Sequence, residues 1–301
     1  MLALVSHDAG GAEILSSWVR QHGAEAVFVL DGPARAIFAR KLGAVRHVEL
    51  EAAVAQCDRV LCGTSGESAL ETDAIAAARS AGKPSVAFLD HWVNYRERFV
   101  REGGLCLPDE IWVGDALAQS MATAAFPGLP VRLVDNPYFA DIRRELAALP
   151  ARSARETGGT SVLYAAEPLR EQALRQFGDE RRWGYAEEDA LRYFLGNVGC
   201  LGAVTEIVIR PHPSEPRAKY AWAGREFDDL PIVMGGVRPL LEEIVRADVV
   251  VGCESMALVV GLLAGKRVVS CIPPGGRPCV LPHREIVRLE TLLETAGRGG
   301  A

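Results

Sequence analysis

The sequence has no Cys-x-x-Cys pair, no long uninterrupted apolar run and no basic stripe, and each absence removes a class of protein. Its seven cysteines, at 57, 62, 106, 200, 253, 271 and 279, are odd in number, and several fall inside apolar stretches. That pattern fits buried free thiols of a reducing compartment and argues against a disulfide scaffold or a cysteine zinc site. A bilayer-crossing helix needs about 18 consecutive apolar residues, and no such run occurs. Met1 to Val5 is apolar, but Ser6, His7 and Asp8 cut it short of a signal-peptide core. A cytoplasmic protein is expected, without an integral membrane segment and with peripheral association open to it. Asp and Glu (39) outnumber Lys and Arg (33), so nothing here neutralises a phosphate backbone and no nucleic-acid partner is expected. Solenoid repeats, low-complexity tracts and a Gly-x-Gly-x-x-Gly signature are also missing, the last arguing against an NAD or FAD site.

What remains is a chain of 301 residues, 49% hydrophobic, long enough for two domains that each bury a core. Short apolar runs alternate regularly with amphipathic helical patterns. The first half carries strands near Leu2–Ser6, Ala26–Leu30, Val45–Val48, Arg59–Cys62, Ser85–Leu89, Glu110–Val113 and Val131–Val134. Helices are expected at Ala12–Gln21, Ala34–Leu42, Ser68–Ala81 and Ala116–Ala125. A second series has strands near Ser161–Ala165, Glu206–Arg210, Ile232–Met234, Val249–Val251 and Val268–Ile272. This alternation implies α/β architecture with parallel sheets and right-handed crossovers. The stretch from Pro150 to Thr160, rich in Ala, Arg, Ser and Gly, reads as a linker, giving domains 1–150 and 151–301.

The most informative segment is Ile207-Val208-Ile209-Arg210-Pro211-His212-Pro213-Ser214-Glu215. A β-branched run ending in Arg, Pro, His and Pro delivers polar side chains to the carboxyl edge of a parallel sheet, where open α/β folds bind ligands. Arg210 can fork onto phosphate oxygens, and His212 can donate to the same anion while the prolines restrict the backbone. A partner follows in Val249-Val250-Val251-Gly252-Cys253-Glu254-Ser255. Gly252 makes the turn and Ser255 stands at a helix start, whose free amides and hydroxyl suit a phosphate. Glu167, after the first strand of this half, is placed either to accept from ribose hydroxyls or to cap a helix.

This pair of motifs resembles the bacterial glycosyltransferases of the GT-B type, closest to the sialyltransferase, polysialyltransferase and capsule-polymerase relatives. Those enzymes have two Rossmann-like domains facing across a cleft, and hold the donor's nucleotide phosphate with a His-Pro motif and a later serine motif. The resemblance places His212 and Pro213 in the first motif and Glu254 and Ser255 in the second. One serine followed by Met256 stands where the relatives often have two hydroxyl residues, which leaves the donor nucleotide open. The motifs cover roughly residues 160 to 272, and the N-terminal half resembles the family in architecture.

In that half, strand one ends in His7-Asp8-Ala9-Gly10-Gly11, a polar pair and a glycine turn that lets a backbone approach a ligand. By position, the resemblance implies Asp8 as the catalytic carboxylate, with His7 orienting or replacing it; the plain alternative is that Asp8 caps the next helix. Two other strand ends, Gly63-Thr64-Ser65-Gly66 and Asp90-His91-Trp92-Val93-Asn94-Tyr95-Arg96, should share the same edge. Gly10, Gly11, Thr64, Ser65, Asp90, His91 and Arg96 are therefore candidate acceptor-binding residues. Arg98 can join Arg96 on an anion, and Trp92 and Tyr95 either stack on a sugar or pack into the core.

The expected function is metal-independent transfer from a nucleotide-sugar donor to a glycan or small-molecule acceptor, with no cofactor. A nucleotide-sugar hydrolase or 2-epimerase of the same fold is the alternative. A metal-dependent hydrolase built on His7, Asp8, Asp90 and His91 is a third reading, without a local His-x-x-x-His to support it.

Overall fold

The computed structural model describes residues 1–150 and 158–298, which fall into two compact units, Met1–Asp141 and Ile142–Ala301. The division lies inside a helix, and most of the expected linker (151–157) lies outside the described residues.

Unit 1 runs β1 (Leu2–Ser6), α1 (Ala9–His22), β2 (Ala26–Leu30), α2 (Pro33–Leu42), α3 (Leu50–Gln56), β3 (Arg59–Cys62), α4 (Leu70–Ser80) and β4 (Ser85–Leu89). It continues with β5 (Val100–Arg101), β6 (Gly104–Leu105), β7 (Glu110–Val113), α5 (Ala116–Ala125), β8 (Val131–Leu133) and α6 (Pro137–Ala148), the last extending past the unit boundary. Its main sheet is parallel, in the order β2-β1-β3-β4-β7-β8. Leu4 lies beside Phe28 on one side and Leu61 on the other, and these three pack with Leu15, Phe38 and Phe88 under the helices. Burial of such side chains stabilises by about 1.5–3 kcal/mol each, which is what the apolar runs contribute.

Unit 2 repeats the plan. Its elements are β9 (Thr160–Ala165), α7 (Leu169–Phe177), α8 (Glu187–Leu195), β10 (Val204–Arg210), α9 (Ala223–Glu226), β11 (Ile232–Met234) and α10 (Leu240–Arg246). Then come β12 (Val249–Gly252), α11 (Met256–Leu263), β13 (Arg267–Ser270), β14 (Ile286–Arg288) and α12 (Leu289–Arg298). The parallel order is β11-β10-β9-β12-β13-β14, over a core containing Tyr164, Phe194, Ile207, Ile209 and Tyr220. Both units are thus doubly wound and Rossmann-like. In each, the winding reverses beside the first strand, between β1 and β3 and between β9 and β12, where such sheets open a crevice at their carboxyl ends.

Three expectations change. Val45–Val48 forms only a single bridge, Phe28 with His47, because it grazes the outer edge of β2 without building a ladder. Gly10 and Gly11, read as a turn, lie inside the first turn of α1, which begins at Ala9. The β5–β6 hairpin escaped the sequence reading; Glu102 and Gly103 turn it with φ of 51° and 79°, the two positive values of a type I′ turn.

Candidate functional site

In unit 1, β1, β3 and β4 are neighbours, so their trailing loops share one edge. Asp8 stands at the N-cap of α1, yet its side chain makes no capping bond. Its carboxylate instead accepts from Ser65 Oγ at 2.7 Å and from the Gly66 N–H at 3.1 Å, across the winding reversal. His7 Nδ1 lies 2.7 Å from the same carboxylate. A carboxylate oxygen accepts, so in the neutral ring Nδ1 carries the proton and Nε2 the lone pair. The hydrogen bond to Asp8 raises the His7 pKa above its usual range against the opposing effect of burial, with Glu71 and Asp31 adding to the rise. The ring rests against Gly32, where a Cβ would lie 2.6 Å from Nε2.

Beneath this dyad sits Glu71, from the first turn of α4, only 2% exposed. It accepts from the His7 backbone N–H at 2.7 Å, while its Oε2 is buried without a hydrogen-bond partner among the described residues. Burial pushes its pKa up to about 7. Nothing in the sequence marked Glu71, since an acid in a helix's first turn ordinarily serves the helix dipole.

The other acceptor-side candidates are tied to each other. Asp90 pairs with Arg98 at 2.9 Å and accepts from Thr64 Oγ1 at 3.3 Å. Its carboxylate also fills the space over Gly10, where a Cβ would meet Asp90 Oδ2 at 1.9 Å. Gly11 and Gly63 face one another so closely that a Cβ on either would lie 3.2 Å from the other's Cα. The room these glycines leave is taken by the protein's own loops. Ser65 Oγ, besides donating to Asp8, accepts from the N–H groups of Glu67 and Ser68. Trp92 and Tyr95 are buried; the Trp92 indole donates to Asp115 and meets His91 edge to face, so both aromatics are core. Arg96 points elsewhere, donating to the Ala125 carbonyl. Among the described residues no three His, Cys, Asp or Glu side chains converge as a metal site, and no helix is long and apolar enough to cross a membrane.

In unit 2 the loops after β10, β9 and β12 are adjacent. His212 differs from His7 in its bonding. Its Nδ1 receives the Ser214 backbone N–H at 3.2 Å and lies 2.8 Å from Ser214 Oγ, so with Nδ1 as the acceptor the ring proton of the neutral form resides on Nε2, making His212 a hydrogen-bond donor. Burial lowers its pKa, which keeps it neutral at pH 7. Glu215 holds the loop: it accepts from the His212 backbone N–H at 2.9 Å, from Lys219 at 2.7 Å and from the Tyr220 hydroxyl at 2.9 Å. Lys219 bridges on to the buried Glu187. The role of Glu215 was hidden in the sequence, although it closes the motif. Pro213 is exposed beside His212.

Ser255 is the N-cap residue of α11 with extended backbone, but its Oγ makes no cap bond and is buried without a hydrogen-bond partner among the described residues. Glu167 reaches across from β9 and accepts from the N–H groups of Cys253 and Glu254, both at 2.9 Å. It therefore caps neither α7 nor its own loop. Burial raises its pKa to about 7, with the Glu254 charge adding to the effect. Glu254 is ion-paired with Arg277, and Arg210 is held by Glu243 at 2.8 Å and by the Arg238 carbonyl. A cavity of about 990 Å³ opens on the α10 side of this sheet between Val162, Val208, Val233 and Arg246; none of the loop residues His212, Glu167 and Ser255 lines it.

No protein-family model matches the chain, and no curated protein matches it. Solved structures do, over nearly the whole length. A UDP complex of S. aureus MnaA superposes with a TM-score of 0.61 at 10% identity, covering 99% of this chain and 87% of that one. The UDP-GlcNAc 2-epimerase of Methanocaldococcus jannaschii gives 0.58 at 9% identity, covering 98% and 91%. Acinetobacter baumannii MurG gives 0.53 at 11%, covering 99% and 89%. The chain is similar to these proteins in fold, and the fold is of the GT-B class.

Proposed function

We propose that this protein is a GT-B-type glycosyltransferase acting on a nucleotide-sugar donor, without a metal or other cofactor. The supporting observation is the pair of oppositely set histidines. His7, its Nδ1–H held by Asp8, offers a lone pair at Nε2; His212, its Nδ1 filled by Ser214, offers an N–H there. The first suits a general base and the second an anion donor.

In this reading His7 Nε2 takes the proton of an acceptor hydroxyl, whose oxygen bonds to the sugar's anomeric carbon. The bond from that carbon to the phosphate breaks and the nucleotide leaves with the electron pair. His212, the Ser255 hydroxyl and the α11 start receive the developing charge. Asp8 is then the group that orients His7, the reverse of the expected order, because its two oxygens already accept from Ser65, Gly66 and His7. Pro213, Glu254 and Arg210 shape the donor loops, with Arg210 acting through its pairing to Glu243. Thr64, Ser65, Gly10, Gly11 and Asp90 hold the acceptor edge in shape, His91 borders it, and Arg96, bonded to the Ala125 carbonyl, stays outside it. The His-Pro and serine motifs favour donors like those of sialyltransferase and capsule-polymerase relatives, so CMP and UDP are the first nucleotides to test. The fold neighbours named MnaA and UDP-GlcNAc 2-epimerase support the hydrolase or epimerase alternative, which uses the same donor unit.

The test is a melting screen with CMP, CDP, UDP and GDP. A ligand at 100 times its Kd stabilises by about 2.7 kcal/mol, a readable shift. We expect CMP or UDP to raise the melting temperature, and His212→Ala and Ser255→Ala to abolish the rise. No shift with any nucleotide removes the reading. Incubation of wild type with the matched nucleotide sugar alone then separates the alternatives: rapid breakdown means a hydrolase, and release of a C2-inverted sugar means an epimerase.

A further inference from the structure

The turn between β12 and α11 already holds a carboxyl group of the chain itself. Glu167, 8% exposed, sets Oε1 2.9 Å from the N–H groups of both Cys253 and Glu254. Gly252 lets the turn pack against the end of β9: a Cβ there would lie 2.9 Å from the Ala165 carbonyl oxygen. Convergent backbone N–H groups at such a turn suit carboxylate and phosphate oxygens alike. The next residue carries the buried, partnerless Ser255 Oγ, a donor that Glu167 does not use.

Resting on the reading of unit 2 as the donor-binding unit, we propose that Glu167 is an internal competitor for the donor's phosphate, so that nucleotide binding takes up one proton at this carboxyl. A phosphate brought to the turn meets a buried carboxylate, and two negative charges cannot share a desolvated site. A protonated Glu167 changes from acceptor to donor and can give its O–H to a phosphate oxygen, leaving the Cys253 and Glu254 amides to the ligand. The proton comes from solvent, and no covalent bond is made or broken in this step.

The surroundings single out Glu167 as the group that responds above pH 7. Burial has already lifted its pKa to about 7, against the opposing pull of the Glu254, Cys253 and Ser255 backbone amides. The groups facing it are Glu254 and Cys253 from the same turn, Tyr185 from the segment before α8, and Cys279 from the loop after β13. Both thiols and the phenol are raised by their surroundings and stay neutral through pH 8.5. Glu254, also raised by burial, is held by Arg277. His212 is shifted downward and is neutral throughout this range.

The experiment is titration calorimetry of the full chain with UDP and with CMP from pH 6.5 to 8.5, each in two buffers of different ionisation heat. The nucleotide phosphate has its last pKa near 6, so its charge is essentially fixed above pH 7. Wild type should lose about tenfold in affinity per pH unit above 7 and take up close to one proton on binding. Glu167→Gln should bind with little pH dependence in that range, and Glu254→Gln should keep the wild-type slope. Equal slopes in wild type and Glu167→Gln, or no proton uptake, would overturn the proposal. If His212→Ala loses binding while Glu167→Gln tracks wild type, this inference fails and the donor reading survives. If neither nucleotide binds any of these proteins, both fall.

Discussion

Glu71→Gln tests the base of the unit 1 site with a magnitude the structure supplies. The carboxyl is 2% exposed and its pKa rises from 4.5 to about 7 through burial. A carboxyl whose folded pKa is raised binds its proton more tightly in the native state. Native stability is therefore undiminished below pH 4.5, falls as pH climbs from 4.5 to 7, and levels off above. A rise of roughly 2.5 units at about 1.4 kcal/mol each amounts to a loss of about 3 kcal/mol at pH 8. Glutamine cannot ionise, so the variant escapes that loss. Its amide keeps an acceptor for the His7 N–H but brings an N–H group to the place of the partnerless Oε2, at a cost of about 1–3 kcal/mol independent of pH. The discriminating quantity is therefore the change in the difference between variant and wild type. Urea unfolding at pH 4.5, 6 and 8 should show the variant gaining about 3 kcal/mol relative to wild type across the range. A difference that stays constant within about 0.5 kcal/mol would refute the burial of an ionisable Glu71 beneath the dyad.

Two further outcomes bear on the same edge. Asp8→Asn should leave nucleotide affinity nearly unchanged and lower turnover by roughly 10²-fold; because Asp8 raises the His7 pKa, the pH at which kcat/KM rises should also move downward, whereas unchanged turnover would remove Asp8 and His7 from the chemistry. Gly32→Ala forces a side chain into a backbone with φ of 50° and against the His7 ring; melting should show a loss of about 1–3 kcal/mol, with nucleotide binding retained and turnover reduced.

Much of the fold was legible because buried parallel strands require continuous apolar runs. Leu2–Ser6, Arg59–Cys62 and Ser85–Leu89 appear with the expected bounds. Val45–Val48 sets Arg46 and His47 between its valines and makes only a single bridge at the edge of β2, where no second partner among the described residues completes a ladder. The strand-end motifs stand in loops at the carboxyl edges of the two sheets, since polar residues after a buried strand must emerge at a sheet edge.

Hydrophobic periodicity and strand-ending residues act locally, so two doubly wound units and the loops that carry their polar residues are legible in the chain before it folds. Which partners those residues bond to depends on the packed fold. Asp8 and Ser65 are 57 positions apart and Glu167 and Cys253 are 86 apart, and only the winding order brings each pair within hydrogen-bond distance. Nonlocal contacts also fill the space over Gly10 with the Asp90 carboxylate and bury Trp92, while Asp90 pairs with Arg98 eight positions on. The two histidines are set by near neighbours, His7 by Asp8 and His212 by Ser214, but the folded backbone decides which neighbour donates to Nδ1 and which accepts from it. Hydrogen bonds are short-ranged and directional, so a proton's position follows from coordinates that no stretch of sequence contains.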